Sequence, residues 1–351
     1  MLSNPPLSSD ATVRLWTTPP PFNKGIMIYI LLFFPFILIF HPSSSQSSNL
    51  FKHHQVAMGT MIEIILIGDN EEKANKAALQ AFQEMKRIET LMNPWIDSSD
   101  VTRIIRSAGK EWVRVSPETI EVIKKAQEIS TLSEGGFDIT VGPLVDIWRK
   151  AREKKIPPSS EEVKRKLDLV NFKNIEMDQE RKVFLKKKGM AIDLGGIAKG
   201  YAVDRAFELL KSLGYGNLIV NAGGDLRVGG LKNNQPWSIG IQNPREPQKI
   251  LTRISVSDVA VATSGDYEKF FIYEGKRYHH IFNPKNGFPA DLCQSVTIVC
   301  KNTMTADALA TAVFVLGPEK GYSLCRKLDG VQCLIVDKEG KMILSPNLKT
   351  W

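Results

Sequence analysis

Residues 193–225 read DLGGIAKGYAVDRAFELLKSLGYGNLIVNAGGD, and within them the chain passes from helices to strands. The paired glycines Gly195-Gly196 open a helix that runs to Leu213 and stops at Gly214. Leu218–Asn221 is a short aliphatic run, predicted to be a strand, and Gly223-Gly224 closes it. Working back toward the N-terminus, helices dominate. Met61–Ile67 alternates as a strand does. Asp69 and Asn70 then offer caps for a helix over Glu72–Met92, whose apolar face is Ala78, Ala81, Phe82, Met85, Ile88, Leu91 and Met92. A second helix starts at Ser116-Pro117 and ends at Gly135-Gly136, and Ser159-Ser160 caps a third over Glu161–Leu169. Forward from Leu218 the pattern predicts strands at Trp237–Gln242, Thr252–Ala262, Phe270–Tyr273, Tyr278–Phe282 and Ser295–Cys300. A helix over Thr303–Leu316, a shorter one after Pro318 and a hairpin across Val331–Leu344 complete the order. Segregated helices and strands with tight turns predict an α+β fold with largely antiparallel sheets.

At 351 residues the chain can bury one large core or two closely joined subdomains. The net charge of +8 comes from dispersed basic runs such as Arg149–Lys155 and Lys186–Lys188, with no interleaved aromatics. That reads as a solvated face, not a nucleic-acid patch, although it would also favour an anionic dinucleotide or lipid surface. Cys293, Cys300, Cys325 and Cys333 show neither CxxC nor zinc-site spacing. A buried thiol is the default for Cys300 and Cys333, and export would permit a Cys325–Cys333 disulfide.

Export is what the N-terminus predicts. Lys24 precedes an uncharged apolar run, Gly25–Phe40, and a small polar stretch, Ser43–Ser48, follows. That order is a secretory signal. The run is about 16 residues against the roughly 20 of a spanning helix, and an uncleaved anchor stays open as an alternative. No cysteine follows it to carry a lipid. Residues 1–48 are therefore expected to be a signal or anchor segment, and 49–346 the working domain, on the extracytoplasmic side.

No GxxxxGK[ST] is present, and Gly214–Gly216 begins a GxGxxG pattern that then fails, so a Rossmann dehydrogenase is disfavoured. Six other segments carry polar detail. Phe137–Pro143 buries an Asp and a Thr among apolar residues, as an Asx turn before a helix or as a site. Asp193–Ala202 opens a helix either with exposed backbone amides suited to a diphosphate, with Lys199 nearby, or with small residues for close helix packing. Asn221–Asp225 is a ligand loop or a bulged turn. Thr263–Tyr267 is a turn. In Tyr278–Pro284 two adjacent histidines point to opposite faces of a strand, which disfavours a di-histidine metal site but leaves one free as a base. Asp307 and Thr311, four apart on a helix, share a face and offer hard oxygen ligands fit for magnesium, unless the aspartate only caps the turn or bonds Thr311.

In order along the chain, MGT at 58–60, GGFDITVGPLVDIW at 135–148, DLGGIAKGYAVD, NAGGDLRVGG, ATSGDY, HHIFNP and ADALATAVFVLG resemble the ApbE family, the FAD:protein FMN transferases. The resemblance implies a T-fold-like architecture of two subdomains with an FAD cleft between them. It implies magnesium-dependent transfer of FMN from FAD to a Thr or Ser hydroxyl of an acceptor flavoprotein, an electron-transfer subunit, with release of AMP. Carried over by motif, Asp307 and Thr311 bind Mg²⁺ with a backbone oxygen near Gly196. Met58, Trp95, Gly136, Phe137, Asp138, Asp193, Lys199 and Ile281 line the FAD site, while His280 and Asp307 serve catalysis. Trp95 stands where the family commonly has a tyrosine, and Asn283 where it commonly has an aspartate. The same pocket would also serve an FAD diphosphatase giving FMN and AMP, or an extracytoplasmic protein that holds FAD without turnover.

Overall fold

The computed structural model describes residues 49–350; the N-terminal signal or anchor segment falls outside them. In chain order the elements are β1 (Asn49–Ala57), β2 (Thr60–Gly68), α1 (Glu71–Met92), α2 (Asp100–Arg106), β3 (Val113–Arg114), α3 (Pro117–Leu132), α4 (Gly142–Lys154) and α5 (Ser160–Leu167). Next come β4 (Ile175–Met177), β5 (Lys182–Leu185), α6 (Ala198–Ser212), β6 (Leu218–Ala222), β7 (Asp225–Gly229), β8 (Trp237–Gln242) and β9 (Ile250–Val256). The chain ends with β10 (Val259–Gly265), β11 (Phe270–Tyr273), β12 (Lys276–His279), β13 (Cys293–Cys300), α7 (Thr303–Lys327), β14 (Gln332–Asp337) and β15 (Met342–Leu344).

Eight strands form one sheet in the order β1-β2-β6-β7-β10-β13-β14-β15, and every neighbouring pair is antiparallel. Period-two alternation sends Ile64, Leu218, Val220, Ala262 and Ile298 to one face, where they pack with α1, α6 and α7. Ile65, Ile219, Val228, Val261 and Val299 go to the other face, against Trp237, Ile241 and Ile254 of the β8–β9 ribbon. Burial on both faces explains why these strands read as continuous apolar runs. A third cluster joins Leu144, Ile147 and Trp148 of α4 and Val163 of α5 to Phe271 and Phe282, beside the β11–β12 ribbon. The α+β class with antiparallel sheets is as the sequence predicts. Leu348 packs on the second cluster and Thr350 bridges Ile254, so the folded unit runs past residue 346.

The helix caps follow their sequence signals. Asn70, Ser116 and Ser159 accept the backbone amides of Lys73, Thr119 and Glu162. Three expectations change. The run 252–262 is two strands in two sheets, because Asp258 takes a left-handed backbone (φ 55°) and turns the chain between β9 and β10; aspartate tolerates that region better than most residues. The strand expected over 278–282 stops at His279, since Ile281 gives its carbonyl to Ala290 across the Asn283 turn. The two C-terminal helices run together as α7, kinked at Gly317 (φ 80°) just before Pro318.

Candidate functional site

The chemistry gathers where the start of α6 meets the start of α7. Gly200 makes that approach possible: a Cβ there would lie 2.4 Å from the Thr303 carbonyl and 2.9 Å from Asp307 Cβ. The Gly200 amide donates to Asp307 Oδ2 at 3.1 Å. Three residues before α6, the Gly195 amide donates to Asp193 Oδ1 at 2.8 Å. The positive end of α6 thus holds two carboxylates of the protein itself, where the sequence suggested amides bare for a diphosphate.

Asp307 is buried, and of its two oxygens only Oδ2 accepts a hydrogen bond among the described residues. Burial and the neighbouring Asp225 carboxylate push its pKa up to about 7, against the pull of Lys199 and the Gly200 amide. Lys199 is ion-paired with Asp225. Burial opposes the ammonium charge, but Asp225 and Asp307 outweigh it and raise the pKa above the lysine range. Asp225 is raised by burial despite Lys199 and the Thr263 amide. One turn along α7 from Asp307, the Thr311 hydroxyl lies 3.2 Å from Ser264 Oγ. A Cβ on Gly196 would stand 3.2 Å from Thr311 Oγ1 and 3.2 Å from the Phe137 ring, so the Gly196 backbone lies against both.

This donor set suits magnesium. An acidic oxygen with a free lone pair, a hydroxyl and a glycine backbone share one small space, and all are hard donors. Among the described residues no three His, Cys, Asp or Glu side chains converge, so a soft-metal cage is not offered.

The two histidines separate as expected. His279 is buried, with Nε2 2.7 Å from the Ala290 carbonyl and Nδ1 accepting the Ile281 amide at 3.2 Å. Those partners fix it as the neutral Nε2–H tautomer, packed edge-on against Phe314. His280 turns the other way, with its surface open to solvent. Crowding lowers its pKa to about 3, helped by His279 and by the cations Lys269, Lys199 and Arg152. Its imidazole is neutral at pH 7. A cavity of about 180 Å³ nearby is lined by His279, Arg245 and Asp266 but not by His280.

The remaining predicted residues are held in different ways. Met58 and Gly59 both have positive φ and form the two-residue turn between β1 and β2, and the Met58 amide donates to Glu89. That turn abuts the Asn221–Asp225 loop, where the Gly223 amide donates to the Met61 carbonyl. Gly136 presses against Leu316, and Phe137 is buried under Gly196. The Asp138 carboxylate is already committed: Oδ1 accepts the Thr140 amide and hydroxyl, Oδ2 the Phe172 amide. It acts as the cap of a short turn and a brace to 172, and burial raises its pKa in spite of those three bonds. Asp193 is raised by burial too, moderated by Gly195 and Lys269. Ile281 is buried beside His280. Trp95 is 66% exposed, with the Arg149 guanidinium 4.8 Å from its ring centre.

Three residues here were not on the sequence-derived site list. Asp225 carried a legible signal, an acid ending an apolar strand. Lys269 and Arg152 carried none; the run 149–155 read as a solvated face, yet Arg149 lies on Trp95 and Arg152 acts on His280.

The ApbE family model matches residues 58–335. Among curated proteins, an FAD:protein FMN transferase of Klebsiella pneumoniae is 31% identical over 86% of this chain and 93% of its own length. One of Vibrio cholerae is 34% identical over 68% of this chain and 73% of its own. Among solved structures, the ApbE protein of Thermotoga maritima superposes with TM-score 0.78 and 36% identity, over 85% of this chain and 97% of that one. The flavin transferase ApbE of Vibrio cholerae superposes with TM-score 0.77 and 28% identity, over 85% and 98%. The family model and these relatives match along nearly the whole described length, and the chain belongs to the ApbE family.

Proposed function

We propose that this protein is a magnesium-dependent transferase that moves FMN from FAD to a Thr or Ser hydroxyl of an acceptor flavoprotein, releasing AMP. The observation that carries it is the juxtaposition of an oxygen donor set, Asp307, Thr311 and Gly196, with a neutral, solvent-open His280 in reach of the same lysine, Lys199. FAD, the substrate, would lie in a cleft between two T-fold-like subdomains, lined by Met58, Trp95, Gly136, Phe137, Asp138, Asp193, Lys199 and Ile281. Asp138, whose carboxylate is engaged elsewhere, would serve by holding Phe137 in place.

Magnesium bound at Asp307 and Thr311 supplies charge neutralisation on the diphosphate, which is most of what phosphoryl transfer asks of an enzyme. Lys199, its charge compensated by Asp225, would offer an ammonium hydrogen-bond donor held in a fixed position. His280 takes the proton of the acceptor hydroxyl as its oxygen bonds to the FMN phosphorus, and the electrons of the broken P–O bond leave with AMP. The N-terminal run 25–40 supports work outside the cytoplasm, with the segment either cleaved or kept as an anchor, near a membrane-bound electron-transfer partner.

The test is incubation with FAD, Mg²⁺ and a domain bearing a Thr/Ser acceptor motif, read by mass spectrometry. The expected result is one added FMN per AMP released, abolished by EDTA, with His280→Ala retaining FAD but losing transfer. AMP with free FMN and an unmodified acceptor would replace transfer with hydrolysis, and intact bound FAD would leave a holder.

A further inference from the structure

Two cations converge on His280 that no motif assigns. Lys269 reaches it through the β11–β12 ribbon. The last register pair of the ribbon is Phe270 with His279, so Lys269 and His280, each one residue further on, leave the ribbon at the same end, where the lysine charge bears on the imidazole. Arg152 reaches it through α4. Trp148 stacks on Tyr278 (5.6 Å) and Phe282 (5.8 Å) and donates from Nε1 to the Gly287 carbonyl, which fixes α4 against the segment that carries His280. Arg152 is one turn beyond Trp148 on the same helix face.

Both side chains lack ion-pair and hydrogen-bond partners among the described residues. Their neighbours do not: Arg149 holds Asp146 and Glu153, and Lys150 holds Asp146. Lys199, the third cation facing His280, is already neutralised by Asp225. Two carboxylates face the group, Asp193 toward Lys269 and Glu268 toward Lys199. Asp193 is bound to the Gly195 amide. A role as helix C-terminal charge would account for Arg152 alone. It would not bring a lysine from another element to the same imidazole.

We infer that Arg152 and Lys269 are phosphate-binding residues that clamp the diphosphate of FAD against His280. This rests on the function proposed above and deepens it. With Lys199 compensated inside the protein, a ligand carrying two negative charges needs these two cations beside the magnesium site. Each is a residue this chain adds to the motif-assigned set.

The experiment is FAD binding to the full chain in detergent, by quenching of flavin fluorescence over a range of salt, for wild type, Arg152→Gln, Lys269→Gln and the double variant. The expected result is a loss of about 3- to 10-fold in affinity for each single change at low salt, compounding in the double, on the scale of one charge-assisted contact. The dependence of affinity on salt should flatten in the double variant. Arg152→Lys and Lys269→Arg should restore most of the binding, which a merely structural role would not predict. A double variant that binds FAD as the wild type does, with unchanged salt dependence, overturns the clamp while leaving the transferase reading intact. A wild type that fails to bind FAD at all overturns both.

Discussion

Asp225 holds Lys199 by an ion pair that spans 26 residues of sequence and joins the first turn of α6 to the start of β7. Asp225 is 1% exposed and Asp307 lies close enough to raise its own pKa by repulsion, so Lys199 is the cation that lets two buried carboxylates coexist. Removing one member of a buried pair leaves an uncompensated charge, at a cost of about 3–5 kcal/mol. Lys199 keeps some solvent contact, which places the expected cost of Lys199→Met at the lower end of that range. Lys199→Met combined with Asp225→Asn should recover much of it. Urea unfolding of the single and double variants measures the coupling; strictly additive losses would show that the pair is incidental.

Gly200→Ala should damage the proposed magnesium site without touching a proposed ligand. The added Cβ would meet the Thr303 carbonyl at 2.4 Å, and backbone cannot swing aside as a side chain can. α6 and α7 must separate, at about 1–3 kcal/mol for an overpacked contact. Asp307 then loses the Gly200 amide that orients it. Magnesium affinity, read by calorimetry, should fall by about tenfold, the scale seen when a metal ligand loses its support. Unchanged affinity would mean that Asp307 is oriented by something other than α6.

How much of this was legible beforehand depends on range. Caps at Asn70, Ser116 and Ser159, and the α1 apolar stripe, are written locally and emerged in the structure where the sequence put them. The pairing of Asp307 with Thr311 follows from helix periodicity alone. What stayed hidden was set by partners far away in sequence. β1 is an edge strand whose mostly exposed residues lack the usual alternation. Residues 252–262 are apolar on both sides of a break that only Asp258 marks. For Asp138 the sequence left an Asx turn open beside a site, and the Thr140 amide makes that turn; what it could not show was the bond from Phe172, 34 residues on. Arg152 and Lys269 acquire meaning only when α4 and the β11–β12 ribbon close on His280.

His279 should make stability depend on pH with a definite sign. Burial lowers its pKa, so the folded state refuses a proton that the unfolded chain accepts below about pH 6.5. The stability it contributes is complete above that pH and is lost on acidification, by at most about 1.4 kcal/mol per pH unit. In His279→Gln that loss is absent. The difference in melting temperature between wild type and variant should therefore shrink steadily from pH 7 to pH 5, whatever the buried carboxylates contribute to both. A constant difference would mean that the imidazole titrates alike in the two states.

Trp95 should behave as a stacking platform for the flavin. An indole this exposed loses apolar surface to water with no partner but the Arg149 guanidinium, which covers one region of its ring. A planar ligand offers the missing contact. Aromatic stacking is worth about 0.5–1.5 kcal/mol, so Trp95→Ala should weaken FAD binding by about 3- to 10-fold, and Trp95→Tyr should be close to silent. Arg149 is tied to Asp146 and Glu153, which makes the rim of α4 a fixed backing for the indole. Arg149→Ala should accordingly produce a smaller loss than Trp95→Ala, by releasing the ring rather than deleting it. Flavin fluorescence quenching reads all three variants. If Trp95→Ala binds FAD as tightly as wild type, the indole lies outside the flavin's reach, and the family's aromatic position has no functional counterpart in this chain.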